Sequence, residues 1–211
     1  MSGTAVVAAV PAAVIATIFA GIELGLATAV AGATLVLWMA RREHDREPSW
    51  LALGSLWVAL PCVMLLWLAR AEGGGRTVLL WIFAVVWATD TGAYAFGRWL
   101  GGPRLAPRWS PRKTWAGLVG GALCAALAGW GTARVLGLSP TPPVALVSAG
   151  LAIVGQFGDL AESVAKRRFG VKDSSGLIPG HGGLLDRVDS LLFAAPVFLY
   201  TLDLLSHVSA F

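Results

Sequence analysis

From residue 4 to residue 40 the chain contains no Lys or Arg, and the first basic residue is Arg41. A water-facing helix needs a polar stripe opposite its apolar one, and this run offers none. One helix crosses a bilayer with about 20 apolar residues. Residues 4–40 are too long for a single span, so the reading is two helices divided near Gly21. Further apolar runs cover 50–69, 77–99, 116–136, 143–162 and 187–207. The runs are long and continuous, whereas a transmembrane barrel needs short alternating segments. The expected fold is all-α: a polytopic transmembrane helical bundle of about seven spans. Residues 1–76 are read as N-terminal transmembrane helices. Residues 77–211 are read as a catalytic transmembrane region with cytoplasmic loops.

Composition agrees with a bilayer as solvent. The 211 residues are 56% hydrophobic and 13% charged, against about 25% charged in a soluble domain. Mean hydropathy is +0.71. Ten Trp and 26 Gly suit interfaces and close helix packing. Cys62 and Cys124 both fall inside apolar runs and read as small core residues, not as a disulfide or metal pair. No basic residue precedes the first apolar run, so a cleavable signal is not expected. No internal repeat is visible.

Charge distribution orients the bundle. With the N-terminus in the cytoplasm, cytoplasmic loops receive thirteen of the 16 Lys and Arg, from Arg41 and Arg42 through Lys113 to Arg187. The opposite side receives Arg70, Arg76 and Arg134. Such a bias marks the cytoplasmic face. The net charge of +4 is therefore read as loop charge beside anionic lipid, and nucleic acid is not an expected partner.

Three polar segments interrupt the apolar background. "GQFGDLAESVAKRR", Gly155–Arg168, closes the sixth run. Gln156, Asp159, Ser163 and Lys166 recur at steps of three, four and three, and Glu162 adjoins them, so all share roughly one helix face. An acid near a span end normally faces protein or water and finds a partner. Asp159 is either paired with Lys166 or a metal ligand. "KDSSGLIPGHGGLLDRVDS", Lys172–Ser190, places Asp186 and Asp189 three apart. Carboxylates of this kind suit Mg²⁺, which takes one or two of them together with substrate phosphates. Gly180, Gly182 and Gly183 let backbone approach an anion. Lys166, Arg167, Arg168, Lys172 and Arg187 supply cations for phosphate. His181 is an acid, a phosphate donor or a turn residue. In the third segment, from Asp90, Asp90 and Tyr94 share a helix face, and Ser110, Arg112, Lys113 and Thr114 follow in a loop suited to an anion. Gly117, Gly121, Ala125 and Gly129, at four-residue steps, form a packing stripe with no expected chemistry. Acids for a metal, bases for phosphates and glycines for access, all at one membrane face, point to phosphoryl or nucleotidyl transfer on a lipid.

The run from Ser163 to Asp189, "SVAKRRFGVKDSSGLIPGHGGLLDRVD", resembles the signature of phosphatidate cytidylyltransferases (CDP-diacylglycerol synthases). "DTGAY", "SPRKTWAG" and "GQFGDL" resemble further blocks of that family in the same order. The likeness covers roughly residues 85–205. It implies that CTP and phosphatidate, in a lipid membrane, give CDP-diacylglycerol and pyrophosphate with Mg²⁺, alone or with a second cation. It implies that Asp159 and Asp186 hold the metal. In the mechanism expected from these residues, Asp159, Asp186, Lys166, Asp173 and Asp189 are catalytic, with Asp173 and Asp189 as ligands or as orienters of the bases. The expected substrate contacts are Ser110, Lys113, Thr114, Ser163, Arg167, Lys172, His181, Gly182, Gly183 and Arg187. The implied location is a bacterial inner membrane, with the site facing the cytoplasm and a homodimer left open. Ala116 departs from the family, which commonly has Glu there, and the N-terminal part is short, so fewer spans are expected than in longer members.

Three other readings compete. A CTP-dependent kinase or a cytidylyltransferase acting on another lipid would use the same residue types. An intramembrane aspartyl protease would use Asp90 and Asp159 but leaves the basic, glycine-rich loop unexplained. An ion or lipid transporter would put acids on its path, but no repeated half or pair of broken helices is present.

Overall fold

A computed structural model of the chain describes residues 2–45, 47–138, 142–171 and 190–198. The chain divides into two compact units, Met1–Leu79 and Leu80–Phe211.

The first unit contains α1 (Ser2–Ala20), α2 (Ile22–Arg42) and α3 (Pro48–Arg70). The long apolar run does break at Gly21, whose φ of 90° lies where residues with a Cβ are strained. The three helices close on Ala13, Ala29, Ala59 and Val63, flanked by Val10, Ile22, Leu26, Leu56 and Leu60. Small residues at the centre bring the helices close, the packing that works where lipid offers no hydrophobic drive. Polar side chains inside this unit satisfy themselves locally. Thr17 Oγ1 donates to Ala13 O at 2.8 Å and Ser55 Oγ to Ala52 O at 2.7 Å. Pro48 opens α3 in its first turn, where a missing N–H costs nothing.

α4 (Gly75–Trp99) leads into the second unit. There follow β1 (Arg104–Ala106), β2 (Ser110–Thr114), α5 (Trp115–Val135), α6 (Pro142–Arg168) and α7, helical over residues 190–198. Among the described residues five helices, α2 to α6, are long and apolar enough to cross a membrane, and α1 has a shorter apolar helix, Ala5–Ala20. The expected last span, 187–207, is described only over α7.

Two local features differ from the sequence reading. The α4–α5 connection, expected as a loop, is an antiparallel hairpin with Arg104 opposite Thr114 and Ala106 opposite Ser110, and an irregular register between. The sheet has two strands among the described residues, so Pro111 sits on an edge strand, where its missing donor is tolerated. α6 also continues six residues beyond the expected end at 162. Its last turn is the basic run Lys166–Arg168, favourably placed at a helix C-terminus.

The stripe on α5 packs as expected. Gly117, Gly121, Ala125 and Gly129 are all buried. A Cβ added at Gly117 would stand 2.8 Å from Ala93 O, and one at Gly92 would stand 2.7 Å from Cys124 Cβ. At Gly129 it would collide with Ser148 Oγ. Trp81 Nε1 donates to Gly129 O at 2.8 Å, and Trp81 packs on Phe198 with ring centroids 5.1 Å apart. These contacts run α5 antiparallel to both α4 and α6. They gather the C-terminal end of α4, the hairpin, the N-terminal end of α5 and the C-terminal half of α6 at one end of the unit.

Candidate functional site

A cavity of about 230 Å³ lies at that end, lined by Asp90, Ala93, Tyr94, Arg112, Lys113, Thr114, Gly117, Gln156 and Asp159. Each element delivers its residues for a local reason. Asp90 and Tyr94 are one turn apart on α4. β2 carries Arg112 and Lys113 over the mouth of α5. Thr114 is the N-cap of α5, its Oγ1 accepting from Gly117 N at 3.0 Å. Gly97 and Gly117 leave room for that threonine, since a Cβ on either would stand 3.2 Å from Thr114 Oγ1. Gln156 and Asp159, one turn apart on α6, face inward.

The central contact is an ion pair. Lys113 Nζ lies 2.8 Å from Asp159 Oδ2 and also donates to Gln156 O at 3.2 Å. Both side chains are partly buried, 23% and 19% exposed, so the pair is less screened than one on an open surface. One turn further along α6, Lys166 Nζ meets Glu162 Oε2 at 3.1 Å, with Glu162 only 5% exposed. Thus Lys166, a candidate partner of Asp159 from sequence spacing, meets Glu162, while the hairpin supplies a cation to Asp159. At the opposite wall, Ser190 Oγ donates to Asp90 Oδ2 at 3.4 Å. Lys113 thus donates to one cavity acid and Ser190 to the other.

Of the residues expected at the site, Lys113, Thr114 and Asp159 come together in the cavity. Ser110 begins β2, half-buried, and Ser163 is half-buried on α6. Arg167 is exposed in the last turn of α6. Lys172, Asp173, His181, Gly182, Gly183, Asp186, Arg187 and Asp189 lie outside the described residues. Ala116 is half-buried in the first turn of α5. Gln156 was visible in the sequence only as a member of the α6 face; its place against the cavity comes from the helix pairing.

Asp159 provides the hard oxygen donors that Mg²⁺ prefers, at the edge of a cavity with room for further ligands. Among the described residues no group of three or more His, Cys, Asp or Glu converges as a metal centre. The cavity wall offers the carboxylates of Asp159 and Asp90, and Asp159 is the expected ligand of an ion that takes one or two carboxylates and completes its shell from phosphate and water. Asp186 is the expected second.

The model of the cytidylyltransferase family matches residues 1–205. The chain belongs to that family. Among curated members, it is 45% identical to the phosphatidate cytidylyltransferase of Brucella suis biovar 1 (strain 1330) over 175 residues, 82% of this chain and 63% of that relative. It is 44% identical over 131 residues to the enzyme of that name from Haemophilus influenzae, covering 60% of this chain and 46% of the other. With the one from Staphylococcus saprophyticus the figures are 45% over 139 residues, 64% and 51%. The chain thus spans less than two thirds of the length of these family members. The family match extends well N-terminal of the block from 85 to 205 in which the motifs were recognised.

Proposed function

We propose that this chain transfers the cytidylyl group of CTP to phosphatidate, giving CDP-diacylglycerol and pyrophosphate. The observation that carries the proposal is the 45% identity, over 82% of the chain, to a protein named phosphatidate cytidylyltransferase. The cavity supports it chemically, because it combines an acid with cations and hydroxyls suited to phosphate.

The reaction is a single displacement. A phosphate oxygen of phosphatidate forms a bond to the α-phosphorus of CTP, the bond from that phosphorus to the α–β bridging oxygen breaks, and pyrophosphate leaves with the electron pair. The nucleophile is already an anion, so no proton need be removed from it and no covalent enzyme intermediate is required. Lys113, with Arg112 beside it, neutralises phosphate charge at the hairpin side of the cavity. Lys166, Arg167, Lys172 and Arg187 hold triphosphate and pyrophosphate oxygens, with Ser110, Thr114, Ser163, His181 and the Gly182–Gly183 backbone as hydrogen-bonding neighbours. Glu162 keeps the Lys166 ammonium on the buried side of α6. Mg²⁺, bound by Asp159 and Asp186, would supply charge neutralisation and orientation for the two anions. Asp173 and Asp189 orient the bases or complete the ligand set. The N-terminus and the cavity face the cytoplasm in this reading, where CTP is available.

Purified protein incubated with labelled CTP, Mg²⁺ and a panel of phospholipid acceptors tests the lipid assignment. Label should enter the lipid fraction with phosphatidate. Labelling with another lipid phosphate or alcohol, and none with phosphatidate, would move the assignment to a cytidylyltransferase or kinase of different specificity.

A further inference from the structure

Gln156 is 4% exposed, and its Nε2 has no hydrogen-bond partner among the described residues. A buried amide without an acceptor is uncommon, because desolvation of the donor is then uncompensated. The side chain is held in place from behind. Gly121 of α5 lies against it so closely that a Cβ there would stand 2.7 Å from Nε2. The backbone oxygen of the same residue accepts from Lys113. In front, Gln156 forms part of the cavity wall with Asp159, Lys113 and Arg112.

We infer that Gln156 is a substrate-binding residue whose amide, packed against Gly121, turns about its last side-chain bond to donate to a phosphate oxygen of the bound substrate. The inference rests on the cytidylyltransferase reading for the identity of that phosphate, the lipid's or the nucleotide's. Phosphate is the ligand the wall selects: Arg112 and Lys113 are cations, Thr114 carries a hydroxyl, and Gln156 adds a neutral donor beside the acid Asp159. The size agrees. Cavities that enclose a drug-sized ligand run from about 300 Å³ upwards. This one, about 230 Å³, suits a single group such as a phosphate. A neutral donor at this depth also distinguishes anion oxygen from a second cation without adding net charge to the site. The glycine at 121 is then explained by function as well as packing, because any side chain there would displace the amide.

The test compares wild type with Gln156→Met, which keeps the shape and removes the donor. Affinities for CTP and for short-chain phosphatidate are measured by titration calorimetry in detergent with Mg²⁺, and thermal unfolding is followed in parallel. Binding of one phosphate compound should weaken by about 10- to 100-fold, the scale of a hydrogen bond to a charged group. The melting temperature should hold or rise, since an unpartnered buried donor has gone. The compound that weakens tells which phosphate Gln156 meets. Unchanged affinity for both overturns the inference, whatever the melting temperature does. A lower melting temperature with both affinities intact would identify Gln156 as a strut between α5 and α6. If Gln156→Met does not fold, Gln156→Asn, which draws the amide back by one methylene, is judged by the same two readings. Wild type that binds neither compound also overturns the inference. Wild type that binds both but forms no CDP-lipid overturns the cytidylyltransferase reading and leaves this one standing on the affinities.

Discussion

Lys113 on the hairpin and Asp159 on α6, 46 positions apart in sequence, meet at 2.8 Å inside a partly enclosed cavity. The contact fixes β2 over the helix ends and places a cation beside the acid proposed to hold the metal. Lys113→Met should lower kcat/KM by about 100-fold or more, the scale of losing one aimed charge-stabilising donor. Lys113→Arg should recover part of it. In a double-mutant cycle on thermal stability, Lys113→Met and Asp159→Asn should couple by about 0.5–3 kcal/mol. A coupling of zero would mean the pair does not hold the hairpin.

The metal assignment predicts non-additive acids. Asp159→Asn and Asp186→Asn should each nearly abolish turnover, and the double variant should be little worse than either single one, because the two act as a unit. The fold should survive in Asp159→Asn, since the carboxamide oxygen can still accept from Lys113 and the pair is only partly buried. Asp203, an acid near the far end of the expected last span 187–207 and outside every motif, is the control, and Asp203→Asn should cost little. Loss of activity in Asp203→Asn, with Asp159→Asn near normal at saturating Mg²⁺, would place the site on the wrong acids.

The packing stripe makes a stability prediction independent of chemistry. Gly129 faces Ser148 across α5 and α6 with no room for a Cβ. Gly129→Leu should therefore destabilise by about 1–3 kcal/mol, the usual cost of overpacking, or more if the helices separate. Val135→Leu, at a position 85% exposed, should leave the melting temperature within a degree or two. Equal melting temperatures for the two variants would contradict the close approach of α5 to α6.

The helices were legible because a span is written as length plus apolarity, and the break at Gly21 because a run from 4 to 40 exceeds one span. The hairpin was not, since Ser110–Thr114 carries two charges and a proline and lacks the alternation that marks a strand. Asp159, Lys113 and Thr114 could be named as site residues from their chemistry. Their convergence could not, because spacing along one helix points only to neighbours on α6, and the 2.8 Å contact of Asp159 with Lys113 comes from a distant segment. Gln156 shows the same limit: its place on the α6 face was readable, and its burial against Gly121 required the α5–α6 pairing.

The proposed orientation in the membrane rests on the distribution of basic residues and can be checked by labelling. In a background of Cys62→Ala and Cys124→Ala, Arg104→Cys and Ser174→Cys should react with impermeant thiol reagents only from the cytoplasmic side. Glu72→Cys should react only from the other. Labelling of Ser174→Cys from outside would put the proposed site on the face without CTP.

The central claim is cytidylyl transfer to phosphatidate by this chain. It is tested most directly by identifying the products formed from CTP and phosphatidate by the purified protein with Mg²⁺, with excess EDTA, and with Asp159→Asn in place of wild type. The account predicts CDP-diacylglycerol and pyrophosphate in equal amounts from the wild type, and almost none in the other two cases. Product formation undiminished in EDTA and in Asp159→Asn, or none from the wild type with phosphatidate, would contradict it.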